Sequence, residues 1–470
     1  MTTLNIQGKI LTPASGEAYT TALTRLSELS QLPAGYIVQP SNYADVAAAV
    51  KFAQAQSPPL EIAIKGGGAH GATWASSSGG LVVDLGATLR NVTVASDKQS
   101  VVVQGGALWG DVYEVTAKES VDVVGGPLWF IGVGGFTTGG GYSPLGGERG
   151  LAIDNLLSAT VVLADGRIVK TSKDEEPDLF WAIRGRRLRR TSGGGGQFGI
   201  VVEFVFKAYP PQGPYGVGVL AYPGTEIEKV IKAVKDWKTT QTPAETLGIN
   251  FSRAPPHFQP SVALLPTILH DTNGERSAKL LAPFHDLKPV FEKTGTVPDL
   301  NMVSHGADGS LKNAPRRVVI RGAMFSDFYP ELVLAIWQKW VAFTETSEDV
   351  RASSVFFDLM SSKKLVEVGA ADTALALRVP HNWVAVQGKS TTDAGVAAAD
   401  EWAKSLSGFI RQKNAELSGK DLGWFINMCQ GEEKPEDIFG DNLPRLRKLK
   451  AKYDPQNVWS KGVALAPLHE

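Results

Sequence analysis

The sequence predicts an α+β fold with two structural units, and three observations support this prediction. The chain has 470 residues, which is long for a single hydrophobic core. Up to Pro210, short β-rich runs alternate with glycine clusters and one amphipathic helix. Beyond Pro210, proline-broken segments lead into longer helical patterns and further strand-like runs, which predict an antiparallel sheet covered by helices.

Five runs in the first region have the apolar, β-branched character of strands and are bounded by turn residues. They cover residues 60–68, 79–86, 99–112, 159–170 and 198–209. Residues 42–55 instead predict an amphipathic helix that begins at Ser41 or Asn42. Its apolar side carries Val46, Val50 and Phe52.

The second region predicts two clear helices, over residues 227–240 and 332–346. The latter carries Ala335, Ile336 and Trp340 on a shared side. Strand-like runs cover residues 263–271, 316–325, 374–380 and 383–388. The tail, residues 442–459, predicts a helix that ends at Asp454-Pro455. Leucine alternates with basic residues between Arg445 and Lys452, which predicts a solvated helix face.

Composition argues against several classes of protein. The 47 basic and 48 acidic residues nearly balance, so binding to nucleic acid by bulk charge is not expected. The N-terminus lacks an apolar signal segment and no stretch reaches about 18 apolar residues, which predicts a cytoplasmic protein without a membrane span. The only cysteine, Cys429, excludes an internal disulfide and a cysteine-based metal site, and we expect it to pack as a small hydrophobe.

The 50 glycines are the outlier, and many fall in three clusters at residues 66–68, 125–141 and 193–199. Glycine lets a backbone approach a ligand closely, and successive bare N–H groups can hold a diphosphate. A Rossmann site for NAD would need a helix after the glycines, and the segment after Gly132 is too rich in glycine to open one. We therefore favour a glycine-lined loop under a dinucleotide over tight turns in a β-rich domain.

The order of motifs along the chain resembles berberine-bridge-enzyme-like oxidases, a branch of the vanillyl-alcohol-oxidase family. The resemblance is strong over residues 36–207 and 424–460 and looser between them. It is carried by I-K-G-G-G-A-H ending at His70, Q-G-G-A-L-W-G-D-V from Gln104, G-V-G-G from Gly132, G-L-A-I-D-N ending at Asn155, Q-F-G-I-V ending at Val201, and Asn427 with the closing L-R-K-L-K-A-K-Y-D-P-Q-N-V-W.

This resemblance implies a PCMH-type FAD-binding domain over residues 1–207, with its core at about 33–210. A substrate domain would cover residues 208–423, and residues 424–470 would return to the first domain. The residues that the resemblance places around FAD are Gly66, Gly67, Gly68, His70, Ser76, Gly126, Pro127, Ile131, Gly132, Val133, Gly134, Gly135, Gly139, Gly140, Tyr142, Gly150, Leu151, Asp154, Asn155, Gly199, Val201 and Asn427.

The family attaches FAD covalently through a histidine directly after G-G-G, and here Ala69 intervenes before His70. Treating Ala69 as an insertion makes His70 the attachment residue; the alternative is noncovalent FAD. A second, cysteinyl bond is excluded because Leu128 stands where that cysteine would be. Ile131 would border the space where dioxygen reacts, which leaves oxidase and dehydrogenase both open.

Members of the family often place tyrosines around the asparagine that matches Asn427, but this chain has Phe425 and Met428 there. A phenol or carboxylate usually accepts the proton as hydride leaves the substrate. His381 is the best remaining acid/base candidate, against the alternative of a structural histidine. Residues 186–192, rich in arginine, form an insertion to which we assign no catalytic role.

The resemblance implies an FAD-linked oxidoreductase that acts on a small alcohol, amine or sugar, with secondary metabolism as the preferred setting. Hydride would pass to the flavin, and dioxygen or another acceptor would reoxidise it. Three alternatives stay open: an FAD-binding cyclase or isomerase without net redox, a non-enzymatic flavin-binding relic, and a reductase that uses NADPH.

Overall fold

The computed structural model describes residues 4–184, 186–187, 196–253, 257–311, 316–369, 375–376 and 378–468. Within these ranges the first region forms a four-stranded and a six-stranded sheet, and the second forms a seven-stranded antiparallel sheet. Helices pack against these sheets. The predicted α+β fold class is therefore confirmed.

The elements of the first region follow in chain order: β1 (Lys9–Leu11), α1 (Glu17–Ala22), β2 (Tyr36–Gln39), α2 (Tyr43–Gln54), β3 (Ile62–Lys65), β4 (Leu81–Asp84), β5 (Val92–Val94), β6 (Ser100–Gln104), α3 (Trp109–Lys118), β7 (Asp122–Val123), α4 (Val133–Thr138), α5 (Gly146–Arg149), β8 (Leu156–Val162), β9 (Ile168–Ser172), α6 (Pro177–Ile183), β10 (Arg186–Arg187) and β11 (Ile200–Tyr209). The four-stranded sheet has the order β1-β2-β4-β3, and the six-stranded sheet has the order β5-β6-β11-β8-β9, with β7 beside β11.

The elements of the rest of the chain are β12 (Tyr215–Pro223), α7 (Ile227–Thr240), β13 (Glu245–Arg253), β14 (Pro260–Ile268), α8 (Glu275–His285), β15 (Phe291–Val297), α9 (Leu300–Ser304), α10 (Asp308–Leu311), β16 (Val318–Phe325), α11 (Pro330–Thr344), β17 (Ser354–Met360), α12 (Lys363–Glu367), β18 (Leu375–Ala376), β19 (Asn382–Lys389), α13 (Asp393–Ser418), α14 (Pro435–Phe439) and α15 (Leu443–Tyr453). The seven-stranded sheet has the order β15-β12-β14-β13-β17-β19-β16.

Most element predictions are confirmed. Each of the five runs in the first region contains a strand, and the run over 159–170 is a hairpin of β8 and β9. Helix α2 begins after Asn42, whose side chain accepts the Asp45 N–H at 2.9 Å. Helix α7 has the predicted bounds, α11 is shifted two residues toward the N-terminus, and α15 ends before Asp454. Of the run over 374–380, the structure describes the two residues of β18 and residues 378–380.

The prediction for residues 99–112 is wrong in its C-terminal half, because β6 ends at Gln104 and helix α3 begins at Trp109. The Leu108 N–H donates to the carboxylate of Asp111 at 2.8 Å, which supports the first turn. Trp109, Val112 and Tyr113 are buried at helical spacing against the six-stranded sheet. Because valines and then glycines precede Trp109, the sequence pattern did not reveal where the two-residue alternation of the strand gives way to helical spacing.

The C-terminal residues pack on the first region. Ile426, Ile438 and Leu446 share a buried cluster with strands and helices of residues 101–208, and Trp459 is buried beside β4. Cys429 is buried, as a small hydrophobe would be. The exact domain limits at 207 and 423 stay predictions. Of the helices in the described residues, none combines the length and apolar character that a membrane crossing needs.

Candidate functional site

Three parts of the chain meet at one place, and we call the space between them the cleft. They are the glycine loops of the first region, one face of the seven-stranded sheet, and the 3₁₀ segment Ile426–Met428. Gly71 lies against Ile320 of β16, and Gly322 of β16 lies against Met428. The cleft is thus bounded by residues that are far apart in sequence.

Two of the predicted glycine clusters lie against each other beside the cleft. A Cβ atom on Gly67 would lie 2.6 Å from the Gly132 nitrogen, and a Cβ atom on Gly132 would lie 2.4 Å from the Gly67 nitrogen. Because both residues also keep accessible surface, the two loops together present bare backbone. This is the arrangement that a diphosphate requires.

We expect Gly67→Ala to lower the flavin content of the purified protein. The added methyl group must push the two loops apart, since its neighbour at 2.6 Å is backbone rather than a flexible side chain. The flavin-to-protein absorbance ratio measures the effect. Gly408→Ala in helix α13 is the control, because a Cβ atom there meets nothing within 4 Å. Full flavin content in Gly67→Ala would contradict the role of these loops.

The segment after Gly132 contains a helix, so the expectation that it holds too much glycine to open one is wrong. Helix α4 begins directly after Gly132 and lasts for 6 residues. Burial of Val133 and Thr137 offsets the low helix propensity of its glycines. The helix ends before Gly140 and Gly141, which take positive φ angles of 109° and 80°.

The other predicted cofactor residues differ in exposure. Those that keep accessible surface and can line the cleft are Pro127, Ile131, Gly134, Gly135 and Asn427. Those that are buried are Gly68, Ser76, Gly126, Val133, Gly139, Gly140, Gly150, Leu151, Gly199 and Val201. The Ser76 hydroxyl donates to the Ser30 carbonyl at 2.7 Å, and the Gly126 carbonyl accepts from Tyr113 at 2.8 Å. These two bonds tie Ser76 and Gly126 to other protein groups.

The side chains of Asp154 and Asn155 are committed to protein partners. Asp154 forms an ion pair with Arg378, in which both side chains are 5% exposed, and accepts the Leu151 N–H at 2.9 Å. The Asn155 amide donates to the Leu151 carbonyl at 2.8 Å and accepts from Tyr209 at 2.6 Å. Either residue could therefore contact a cofactor only through its backbone. The ion pair of Asp154 with Arg378 also connects the first region to the second.

His70 lies where the glycine loop approaches the C-terminal segment. Its ring stacks on Trp74 with centroids 4.4 Å apart, and Nδ1 accepts the Ala72 N–H at 3.0 Å. Burial lowers the pKa of His70 to about 4, partly opposed by a backbone group of Ile426. The ring is therefore neutral at pH 7, and the residue as a whole keeps some accessible surface.

Tyr142 and His381, predicted from different regions of the chain, form a hydrogen-bonded pair. His381 Nδ1 donates to the Val379 carbonyl at 2.7 Å, so its Nε2 accepts the Tyr142 hydroxyl. Burial lowers the pKa of His381 to about 4 and raises the pKa of Tyr142 well above 10. Both groups are neutral at pH 7. The hydrogen bond therefore fixes the orientation of the Tyr142 phenol, and the low pKa of His381 makes its ring a weak acceptor of a further proton.

Asp358 is a functional candidate that the sequence reasoning missed. It lies on β17, paired in register with Gly248 on one side and Trp383 on the other. Burial raises its pKa to about 7, and the charge of Lys238 opposes this increase. Within the described residues no donor reaches its Oδ1 atom. The available signal was one carboxylate inside the apolar run S-V-F-F-D-L-M.

The arginine-rich insertion is described only in part. Residues 186–187 form β10, which pairs in parallel with β18. Residues 188–192, together with Gly193, Gly194 and Gly195 of the third glycine cluster, lie outside the described residues.

The described residues fit an FAD group on two observations. The Gly67–Gly132 contact leaves bare backbone where a diphosphate would lie, and the Thr137 hydroxyl of α4, the helix that follows Gly132, is buried with no partner in the described part of the chain. His70, Ile131 and Asn427 keep accessible surface around the cleft, where a flavin ring would be held. When bound, FAD supplies the two-electron redox chemistry that side chains lack.

Comparisons with known proteins agree with this geometry. A family model described as "FAD binding domain" matches residues 34–172, and one described as "Berberine and berberine like" matches residues 424–461. An FAD-linked oxidoreductase of Aspergillus terreus is 29% identical over 97% of this chain and 92% of its own length. A xylooligosaccharide oxidase of Thermothelomyces thermophilus is 26% identical over 72% of this chain and 68% of its own length.

The solved structure of berberine-bridge-enzyme-like protein 1 of Physcomitrella patens has the same fold, with a TM-score of 0.82 and 19% identity over 99% of this chain and 98% of that one. The two family models match the region of the glycine loops and the C-terminal segment, which are two of the three parts around the cleft, in the same order as the motifs. The chain therefore carries an FAD-binding domain and a berberine-like C-terminal segment, and it is an FAD-linked oxidoreductase.

Proposed function

We propose that this flavoprotein removes hydride from a carbon that bears a hydroxyl or amino group on a small organic molecule. Dioxygen or another acceptor then receives the electrons. The single observation that carries the proposal is the convergence on one cleft of the bare Gly67–Gly132 backbone, neutral His70 and the Tyr142–His381 pair. The names of the relatives, which include an oxidase of xylooligosaccharides, support oxidation of small organic substrates.

We also propose that His70 holds FAD covalently. A neutral imidazole is the form that can bond to carbon, and the low pKa of His70 keeps it neutral throughout the physiological range. Gly71, the next residue, lies against Ile320 of β16, so the ring is positioned at the junction of the two regions and the C-terminal segment. Stacking on Trp74 fixes the plane of the ring.

Acid precipitation of the purified protein tests both proposals. We expect the flavin to stay with the pellet in the wild type and to enter the supernatant in His70→Ala, while the glycine loops keep FAD bound before acid is added. His285→Ala is the control, since that histidine is partly exposed and pairs with Glu292. Flavin in the wild-type supernatant would refute the covalent bond alone. Protein that stays colourless in saturating FAD would refute the function.

Anaerobic mixing with substrate separates redox chemistry from a cyclase or isomerase that uses FAD without net oxidation. The proposal expects the visible flavin absorbance to bleach in proportion to product. Product that accumulates while the flavin keeps its colour would overturn net hydride removal.

A further inference from the structure

We propose that a buried cluster of charged side chains behind the first glycine loop makes the protein select FAD over flavins that lack a diphosphate. The cluster consists of Arg25, Lys65 and Asp84, and we call it the charge cluster. The inference rests on the proposed function only in placing FAD on the glycine loops. It goes beyond that function because it assigns cofactor selectivity to side chains that lie behind the loop backbone.

Lys65 and Asp84 form a buried ion pair at the ends of two neighbouring parallel strands. They are partners in the register of β3 and β4, and the Lys65 Nζ atom lies 3.1 Å from the Asp84 Oδ2 atom. Their side chains are 14% and 3% exposed. The ammonium group also donates to the Ala22 carbonyl at 3.0 Å. Strand pairing therefore holds this ion pair in a place that solvent hardly reaches.

Arg25 adds a second buried cation. Its Nη1 atom donates to the carbonyls of Ala22, Leu23 and Thr24 at 3.0, 2.9 and 3.0 Å, and its Nε atom donates to the Ala75 carbonyl at 3.1 Å. These acceptors are neutral, and within the described residues no carboxylate forms an ion pair with Arg25. Its charge is therefore fixed in position without a counter-charge in contact.

The charge cluster carries a net charge of +1 at pH 7, because two cations face one carboxylate. Burial lowers the pKa of Arg25 only to about 10, so the guanidinium stays protonated. Burial also lowers the pKa of Lys65 and raises the pKa of Asp84, and the attraction between the two groups opposes both shifts. The charges that act on these groups belong to the cluster itself.

The charge cluster lies directly behind the loop of residues 66–68. Lys65 precedes this loop in the chain, and a Cβ atom on Gly68 would lie 3.0 Å from Arg25 Cδ and 3.7 Å from Lys65 Cε. The Gly68 carbonyl accepts the Leu26 N–H at 2.9 Å, so it points toward the segment that carries Arg25. The two cations are thus packed against the backbone of the loop.

The Gly66 carbonyl also points toward the charge cluster. A Cβ atom on Gly86 would lie 2.4 Å from the Gly66 oxygen and 3.5 Å from the Asp84 Oδ1 atom. Because C=O and N–H point in opposite directions in a trans peptide, the Gly67 N–H points away from the cluster. The Gly67 nitrogen is the atom that would lie 2.4 Å from a Cβ atom on Gly132. The loop therefore has its carbonyls on the side of the cations and its free N–H groups on the side of the cleft.

A net positive charge in this position favours an anion on the other side of the loop. Each phosphorus of the FAD diphosphate carries one ionised oxygen, whereas riboflavin has the same ring system and no phosphate. Since the cations are buried, salt and water screen their field much less than they screen a surface lysine. The charge cluster should therefore stabilise bound FAD and have no effect on bound riboflavin.

Charge-balanced variants test the inference in the His70→Ala background, where flavin exchange cannot be limited by a covalent bond. Fluorescence titration of the apoprotein measures the dissociation constants of FAD and riboflavin. We expect Lys65→Met to weaken FAD binding about 10- to 100-fold and to leave riboflavin binding unchanged. Adding Asp84→Asn returns the net charge to +1 through Arg25, so the FAD affinity should recover to within about threefold of the parent. Lys118→Met, exposed on α3, is the control.

A merely structural role predicts the opposite order, because two changes in one buried pair would then disturb the loop at least as much as one. The inference would be overturned by unchanged FAD affinity in Lys65→Met, by equal losses for both flavins, or by a double variant as weak as the single one. If Lys65→Met does not fold, Arg25→Met added to the double variant removes the last charge without leaving a carboxylate. The same FAD-selective loss is then expected, and its absence would overturn the inference. A parent protein that binds neither flavin would instead refute the placement of FAD in the proposed function.

Discussion

Replacing Lys450 with methionine will lower the free energy of unfolding by about 3–5 kcal/mol. Lys450 of α15 forms an ion pair with Asp454, the residue that follows the helix, and both side chains are 0% exposed. The ammonium group also donates to the carbonyls of Gln197 at 2.8 Å and Trp459 at 2.7 Å. Methionine fills the space but leaves the Asp454 carboxylate buried without its counter-charge.

The exposed residue Lys448, on the same helix, provides the control. We expect Lys448→Met to change stability by less than about 0.5 kcal/mol, since surface substitutions rarely do more. Denaturant unfolding of both variants measures the difference. Equal stability of the two variants would mean that water reaches Asp454. The structure departs from the predicted solvated helix face over Arg445–Lys452 at Lys450, which is buried and donates to the Gln197 carbonyl of the first region.

The wild-type protein will lose stability relative to Asp358→Asn as the pH rises from 4 to 8. A folded-state pKa of about 7 in place of the ordinary 3.8 means that the folded chain binds a proton that the unfolded chain has released. The stabilisation that the protonated Asp358 carboxyl contributes is therefore fully present below pH 4, and it is lost as the pH rises through 7. The full effect corresponds to at most about 4 kcal/mol.

Midpoint temperatures of both proteins across this pH range measure the effect. His70 and His381 shift in the opposite direction, since their low folded-state pKa values give stability above pH 6.5 that is lost toward pH 4. The difference between Asp358→Asn and wild type removes this contribution. Equal midpoints at pH 8 would show that Lys238 already neutralises Asp358.

The cofactor loops could be predicted from sequence because the requirement for glycine is local. Gly67 and Gly132 lie in short motifs, and the same absence of a side chain that marks them in the sequence lets their backbones touch. Helices α2, α7 and α15 were predictable for a similar reason. Their apolar periods lie within a few residues, and α2 also has a local cap at Asn42, so no distant contact is needed to specify them.

Asp358 could not be found in this way. Strand alternation places Phe356 and Asp358 on one face and Phe357 on the other, but a sequence does not state which face is covered by helices and which by the first region. A single carboxylate on a strand more often faces water. Only the packing of α11 and α13 on one side of the sheet leaves Asp358 in the cleft.

By itself, the sequence determined the FAD-binding motifs, the α+β class and the glycine loops that suit FAD, because each depends on residues that are near one another along the chain. The tertiary structure decided which charges are used for stability and which are left for chemistry. It joins Tyr142 to His381 across 239 positions and Asp154 to Arg378 across 224. The energetic contribution of a charged side chain depends on the partners and the solvent that surround it in the folded chain, and neighbouring residues in the sequence do not specify these.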